Sequence, residues 1–209
     1  MHQARAQKQI HKQVVAYELH GNCYLNITNR CTLRCRFCPK FNHIWDVKSY
    51  SLRLHNEPGT REILNAIGDP TQFNEIVFCG LGESTLRLNT MIEIASSLKK
   101  NNATIRLNTD GLANLIHNRD VTKELASCID KFSISLNAHN EAIYDYHCRP
   151  KHKNTYPEVI RFIKKLRTRD CDITITAIKG LDNVDIFECK KISKQLDVKF
   201  RKRVLDEVG

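Results

Sequence analysis

The stretch NITNRCTLRCRFCPK, Asn26 to Lys40, sets Cys31, Cys35 and Cys38 at a C-x3-C-x2-C spacing. Thiolates bind zinc and iron–sulfur clusters, and three within eight residues can serve one metal centre. A structural zinc site takes four ligands, commonly from two C-x2-C pairs. Cys23 or His43 could supply a fourth, though neither stands at a familiar zinc spacing. A cubane of four irons held by three cysteines differs in leaving one iron open to a small molecule. Three further strings carry polar residues that could line such a centre. In CGLGESTLR, Gly80 and Gly82 permit close backbone approach, Glu83 offers a carboxylate, and Ser84 can cap a helix. NTDG contributes Asn108, and SLNA contributes Ser135 and Asn137, which alternate with Leu136 and so share one face of a strand.

The elements that must position these residues alternate along the chain. Stretches rich in β-branched and aromatic residues predict strands at Cys23–Ile27, Glu75–Cys79, Thr104–Asn108, Phe132–Leu136, Asp172–Ile178 and Val198–Lys202. Leu88, Met91, Ile92, Ala95 and Leu98 recur at helical spacing, as do Tyr156, Val159, Ile160 and Ile163. Asn183 is positioned to cap a further helix with Ile186, Phe187 and Ile192 on its inner side. Repeated strand–helix alternation implies a parallel sheet covered by helices. A full eight-unit barrel needs about 250 residues, and at roughly 30 residues per unit this chain holds about six. The expected architecture is α/β, an incomplete (β/α)6 TIM-like barrel, with a flat doubly wound sheet as the alternative. The cysteine loop, the acidic loop and both polar strings then fall at carboxyl ends of parallel strands, where such folds build active sites. Residues 1–17 read as a loose lead-in to a core spanning 18–209, and Phe41–Pro58 as a long loop or insertion.

The cysteine triplet, with Phe37 as the aromatic residue before Cys38, resembles the signature of the radical S-adenosylmethionine superfamily. The resemblance implies a [4Fe-4S] cluster on Cys31, Cys35 and Cys38 whose open iron chelates S-adenosylmethionine. It implies reductive cleavage of that cofactor to a 5′-deoxyadenosyl radical, which abstracts hydrogen from a substrate. Gly80, Gly82 and Glu83 resemble the family's Gly-Gly-Glu region at the methionine amino group. Leu81 and Ser84 depart from it, where glycine and proline are frequent. Asn108, Ser135 and Asn137 fall where the family lines the ribose and adenine. The strings YLNITNRC, FCGLGESTLRL, IRLNTDG, NLIHNRD, SISLNA and HCRP are similar to the short radical proteins associated with TatD-type nucleases. That likeness implies linkage to a metal-dependent deoxyribonuclease partner. An electron donor such as flavodoxin or ferredoxin follows from the chemistry.

Nine cysteines, an odd number, with no secretory leader pattern, fit a reducing, cytoplasmic setting better than a disulfide framework. No run of about 18 apolar residues could span a membrane. The six remaining cysteines form no tight pair and read as small buried hydrophobes. Cys148, before Arg149 and Pro150, is the one with a catalytic alternative, as a hydrogen donor to a radical. His117 and His147 read as hydrogen-bonded structural residues. The net charge of +10 gathers at Arg34, Arg36 and Lys40, at Arg149, Lys151 and Lys153, and at Lys199 to Arg203. This distribution suits a polyanionic substrate such as nucleic acid. Two other readings stand beside the radical enzyme: a non-enzymatic zinc or nucleic-acid-binding module, and a radical activase acting on a partner protein.

Overall fold

His20 and Gly21 both carry positive φ, 54° and 72°, and close a two-residue turn between β1 (Ala16–Leu19) and β2 (Asn22–Leu25). Such turns match the twist of an antiparallel pair. The structure, a computed structural model, describes residues 13–205. Of the lead-in expected over 1–17, residues 1–12 lie outside the described residues. The rest is ordered against the fold, because Val15, Tyr17 and Leu19 bury their side chains and β1 pairs with β2 along its length.

After β2 the chain forms a small hairpin, β3 (Asp46–Val47) and β4 (Tyr50–Ser51), within the insertion expected at 41–58. There follow α1 (Thr60–Ile67), β5 (Ile76–Phe78), α2 (Leu88–Lys99), β6 (Ile105–Thr109), α3 (Ala113–Ile116) and α4 (Thr122–Ala126). The remainder is β7 (Lys131–Ser135), α5 (Glu141–Cys148), α6 (Thr155–Leu166), β8 (Asp172–Lys179), α7 (Ile186–Gln195) and β9 (Lys199–Val204). All six expected strands are present.

The main sheet runs β1-β2-β5-β6-β7-β8-β9, and every pairing after the first is parallel. Spatial order follows chain order without reversal. A doubly wound sheet reverses direction at a switch point; a sheet that always advances one way curls into a barrel. Here β1 and β9 are its two edges, so the barrel is open.

Strand alternation separates two layers. Ile105, Leu107, Phe132 and Ile134 join Met91 of α2 and Phe162 of α6 in the core between sheet and helices. The opposite, concave face carries Arg106, Asn108, Lys131 and Ser133. Its β1–β2 end is filled by Tyr17, Tyr24, Leu52 and Val77, with Tyr50 of the hairpin packed over them. Two local expectations change. The cap of α7 is Asp185, whose Oδ1 accepts from Phe187 N and Glu188 N at 2.8 and 3.1 Å, not Asn183, which takes a left-handed φ of 58°. Phe187 is 66% exposed with Lys191 over its ring, because Cys189 and Ser193 mark the buried face of that helix.

Candidate active site

The cysteine loop leaves β2 and is held from three sides. At its start, Glu57 accepts from Thr28 Oγ1 at 2.5 Å and from Arg30 Nε at 2.7 Å, tying the end of the insertion to the loop. Beneath it, Glu83 N donates to Arg30 O at 2.8 Å. At its far side it lies along the C-terminal end of α5: Arg34 N donates to Cys148 O at 3.0 Å, Arg36 N to His147 O at 2.8 Å, and Arg36 Nε to Tyr146 O at 2.7 Å. Cys38 N donates to Cys35 O at 3.1 Å, and Cys38 then caps a short 3-10 turn opened by Pro39. Phe37 packs against the core from the loop.

Below the loop lies a buried acidic pair. Glu83 Oε1 accepts from Thr85 N, Thr85 Oγ1 and Thr109 Oγ1 at 3.1, 2.7 and 3.0 Å, and Oε2 accepts from Asp110 N at 2.8 Å. Asp110 Oδ1 accepts from Leu112 N at 3.0 Å, and its Oδ2 accepts from Thr32 Oγ1, next to Cys31. Burial, and then the Glu83 carboxylate beside it, hold the Asp110 carboxyl well above the usual range. The folded protein therefore binds this proton to higher pH than the unfolded chain, whose value is near 3.8. The contribution of Asp110 to stability falls as pH rises from that value through the folded one. Asp110→Asn, which keeps an acceptor for Leu112 N and cannot ionise, is expected to flatten that slope. Urea unfolding of both proteins between about pH 5 and pH 8 measures it, and equal slopes would contradict the assignment.

Glu83, expected to receive an ammonium, thus has both oxygens engaged by protein donors and caps the 3-10 turn Ser84–Arg87 itself, the role Ser84 was expected to fill. Glu83→Gln would set an amide NH2 against backbone or hydroxyl donors. We expect a loss of about 1–3 kcal/mol of unfolding free energy, read from urea denaturation, and an unchanged midpoint would refute the network. The two glycines serve the same packing. A Cβ on Gly80 would strike Asn26, whose Cα would lie 3.1 Å away, and a Cβ on Gly82 would strike Thr28 O and lie 2.6 Å from Arg30 O. The close approach they permit is to the backbone of the cysteine loop.

The other expected residues divide. Asn108 Oδ1 accepts from Arg106 Nη1 at 2.9 Å on the concave face. Ser135 ends β7, and the strand alternation ends with it: Asn137 has φ 60° and donates from N to Thr176 O at 3.0 Å. Asn137 Nδ2 lies 3.8 Å from Cys148 Sγ, while its buried Oδ1 has no partner among the described residues. Cys148 is fully buried, close to the Cys35 thiol. Tyr144, one turn earlier on α5, is buried with an unpartnered hydroxyl among the described residues. Sequence reasoning missed Thr32, Asp110 and Tyr144. The i, i+4 spacing of Tyr144 and Cys148 on one helix could have flagged the last. His117 and His147 make hydrogen bonds to the carbonyls of Thr85 and Asp182 at 2.8 and 2.7 Å, the structural role expected of them.

The donor set fits a thiolate-held cluster. Burial pushes the Cys31 thiol up to about 12 and also raises Cys38; the neighbouring Cys148 thiol, then burial, raise Cys35. A metal that takes these groups as thiolates removes that desolvation cost. Among the described residues no three His, Cys, Asp or Glu side chains converge on a point suited to a single ion. A cubane asks for less convergence, since each thiolate meets a different iron. Outside the loop, Arg34, Cys35, Arg36, Phe41, Asn42 and Arg149 line a cavity of about 270 Å³. It brings together two of the basic groups expected near the mouth.

Residues 25–191 match the family described as the Radical SAM superfamily. Comparison with curated proteins returns no match. Among solved structures the chain is similar to TYW1 with a lysine-pyruvate adduct bound, at 16% identity and TM-score 0.62, covering 91% of this chain and 67% of that one. It is similar to Streptococcus suis SuiB bound to precursor peptide SuiA, at 14% and 0.64, covering 87% and 38%. It is also similar to TsrM, a radical S-adenosylmethionine methyltransferase from Kitasatospora setae with tryptophan and a cofactor analog bound, at 11% and 0.60, covering 88% and 35%. The chain thus spans about two thirds of the first and little more than a third of the others. At these identities the likeness is one of fold. No helix among the described residues is long and apolar enough to cross a membrane.

Proposed function

The chain belongs to the radical SAM superfamily, and from that premise we propose that it is an enzyme holding a [4Fe-4S] cluster on Cys31, Cys35 and Cys38. The observation that carries this reading is the cysteine loop itself. Its three cysteines stand in one loop after a parallel strand, and the Glu83–Asp110 pair holds that loop at Arg30 and Thr32. Bound there, the cluster would supply the electron that cleaves S-adenosylmethionine to a hydrogen-abstracting 5′-deoxyadenosyl radical.

The chain's own residues hold and orient. The Gly80–Glu83 loop receives the methionine end of the cofactor, with Glu83 acting through the loop position it imposes. Asn108, Ser135 and Asn137 line the nucleoside side, where the unpartnered Oδ1 of Asn137 supports a ligand contact. Cys148, enclosed between Cys35 and Asn137, is better suited to packing there than to meeting a substrate. The sequence strings further support membership of the short proteins linked to TatD-type nucleases, with such a nuclease as partner and a flavodoxin- or ferredoxin-like electron donor.

The test is anaerobic reconstitution with iron and sulfide, reduction by dithionite, and addition of S-adenosylmethionine. Release of 5′-deoxyadenosine is expected. A fully loaded, reduced protein that leaves the cofactor intact would refute the proposal.

A further inference from the structure

The concave face of the sheet carries five basic side chains, and three of them have carboxylates. Arg106 and Lys131 share Glu75, at 2.7 and 2.8 Å, and Lys199 pairs with Asp172 at 2.8 Å. Arg201 lies on this same face, since its Nη2 donates to Ser133 Oγ at 3.3 Å, and Arg203 follows at the strand period. Neither has a carboxylate partner among the described residues. Phe200, between Lys199 and Arg201 in alternation, packs instead against the helix-side core. Edge strands often carry exposed cations that block pairing with another chain, and Lys202 on the other face suits that role. Arg201 does not, because it is drawn inward toward Ser133. Partial burial of the guanidinium, and then the nearness of Arg106 and Arg203, pull its pKa down.

Both arginines also neighbour the proposed cofactor side. Burial raises the Cys79 thiol, the nearby Arg203 and Arg106 oppose that shift, and Arg201 is also near Cys79, which leads directly into Gly80. Asn108 links to the group through Arg106. A guanidinium presents a planar fork of donors that matches phosphate oxygens. We propose that Arg201 and Arg203 form an anion subsite on the concave face that binds a phosphate group of the substrate. This rests on the radical-enzyme reading for what happens to that substrate, but the binding itself does not require the cluster. The subsite is separate from the arginine-lined cavity outside the cysteine loop, where Arg149 lies.

Inorganic pyrophosphate is the probe, titrated calorimetrically at low salt into the reconstituted protein with S-adenosylmethionine present. One saturable site is expected for the wild type and for Arg149→Ala. The double variant Arg201→Ala, Arg203→Ala should bind at least about tenfold more weakly, since deleting even one charge-assisted hydrogen bond to the anion costs about that factor. The single variants Arg201→Gln and Arg203→Gln, each milder, should weaken binding separately should the double variant fold poorly. Absence of saturable binding by the wild type, or undiminished binding by folded Arg201 and Arg203 variants, would overturn the subsite. Iron content and S-adenosylmethionine binding are read on the same samples. Their loss with pyrophosphate binding intact would count against the radical reading alone.

Discussion

Cys31→Ala, Cys35→Ala and Cys38→Ala are each expected to retain almost no iron after anaerobic reconstitution, against a fully loaded wild type. Each thiolate would be one of only three protein ligands, so removing one leaves a four-iron cluster with two anchors and two open irons. The loss should not come from unfolding. The three side chains sit half-buried in a loop whose shape is set by backbone hydrogen bonds and by Glu57, Glu83 and α5 rather than by the thiols. Cys128→Ala and Cys189→Ala are the controls. Both are buried at helices α4 and α7, away from the loop, and should keep full iron despite a modest packing cost. Iron and acid-labile sulfide analysis separates the two groups. Full loading of Cys35→Ala would contradict the ligand assignment.

Among the described glycines, Gly82→Ala should be the most damaging substitution, because its Cβ meets backbone most closely. The added Cβ points at backbone, Thr28 O and Arg30 O, with Thr28 C at 2.9 Å. Backbone cannot rotate away as a side chain can, so the loop start must shift. Overpacking of this kind costs about 3 kcal/mol. The strain also falls where Glu83 N meets Arg30 O and where Glu57 clamps Thr28 and Arg30. We therefore expect reduced stability and poor cluster loading together. Gly59→Ala is the matched control, because nothing lies within 4 Å of its Cβ direction. Urea denaturation and iron content measure both effects, and a Gly82→Ala protein that matches the wild type in each would refute the packing account.

How far these features can be read in the chain depends on their range. The six parallel strands and the helices α2 and α6 announce themselves through local periodicity, and the barrel follows from counting units. The cysteine loop is legible because its three thiols lie within eight residues. What escapes a reading of the sequence is held by long-range contact. The hydrogen bond of Thr32 to Asp110 spans 78 positions, and the roles of Gly80 and Gly82 depend on the backbone at 26–30 lying against them. Glu83 is visible as an acid after two glycines, but its saturation by Thr85, Thr109 and Asp110 N is not. Strand alternation puts Asn137 on one face with Ser135; a left-handed φ at Asn137 breaks that pattern, a conformation that Asn tolerates well but that its presence alone does not dictate. Ala16 to Leu19 is too short and too close to a polar stretch to read as a strand, and only its pairing with β2 makes it one.

The most direct test of the central claim, that three cysteines hold a four-iron cluster with one iron open to S-adenosylmethionine, is the electron paramagnetic resonance spectrum of the reduced wild-type protein recorded before and after the cofactor is added. The account predicts a reduced-cluster signal whose shape changes on addition, with the amino group and carboxylate of the cofactor coupled to the unique iron when isotopically labelled. A signal that S-adenosylmethionine leaves unchanged, or a protein that binds iron without any reduced-cluster signal, would contradict it.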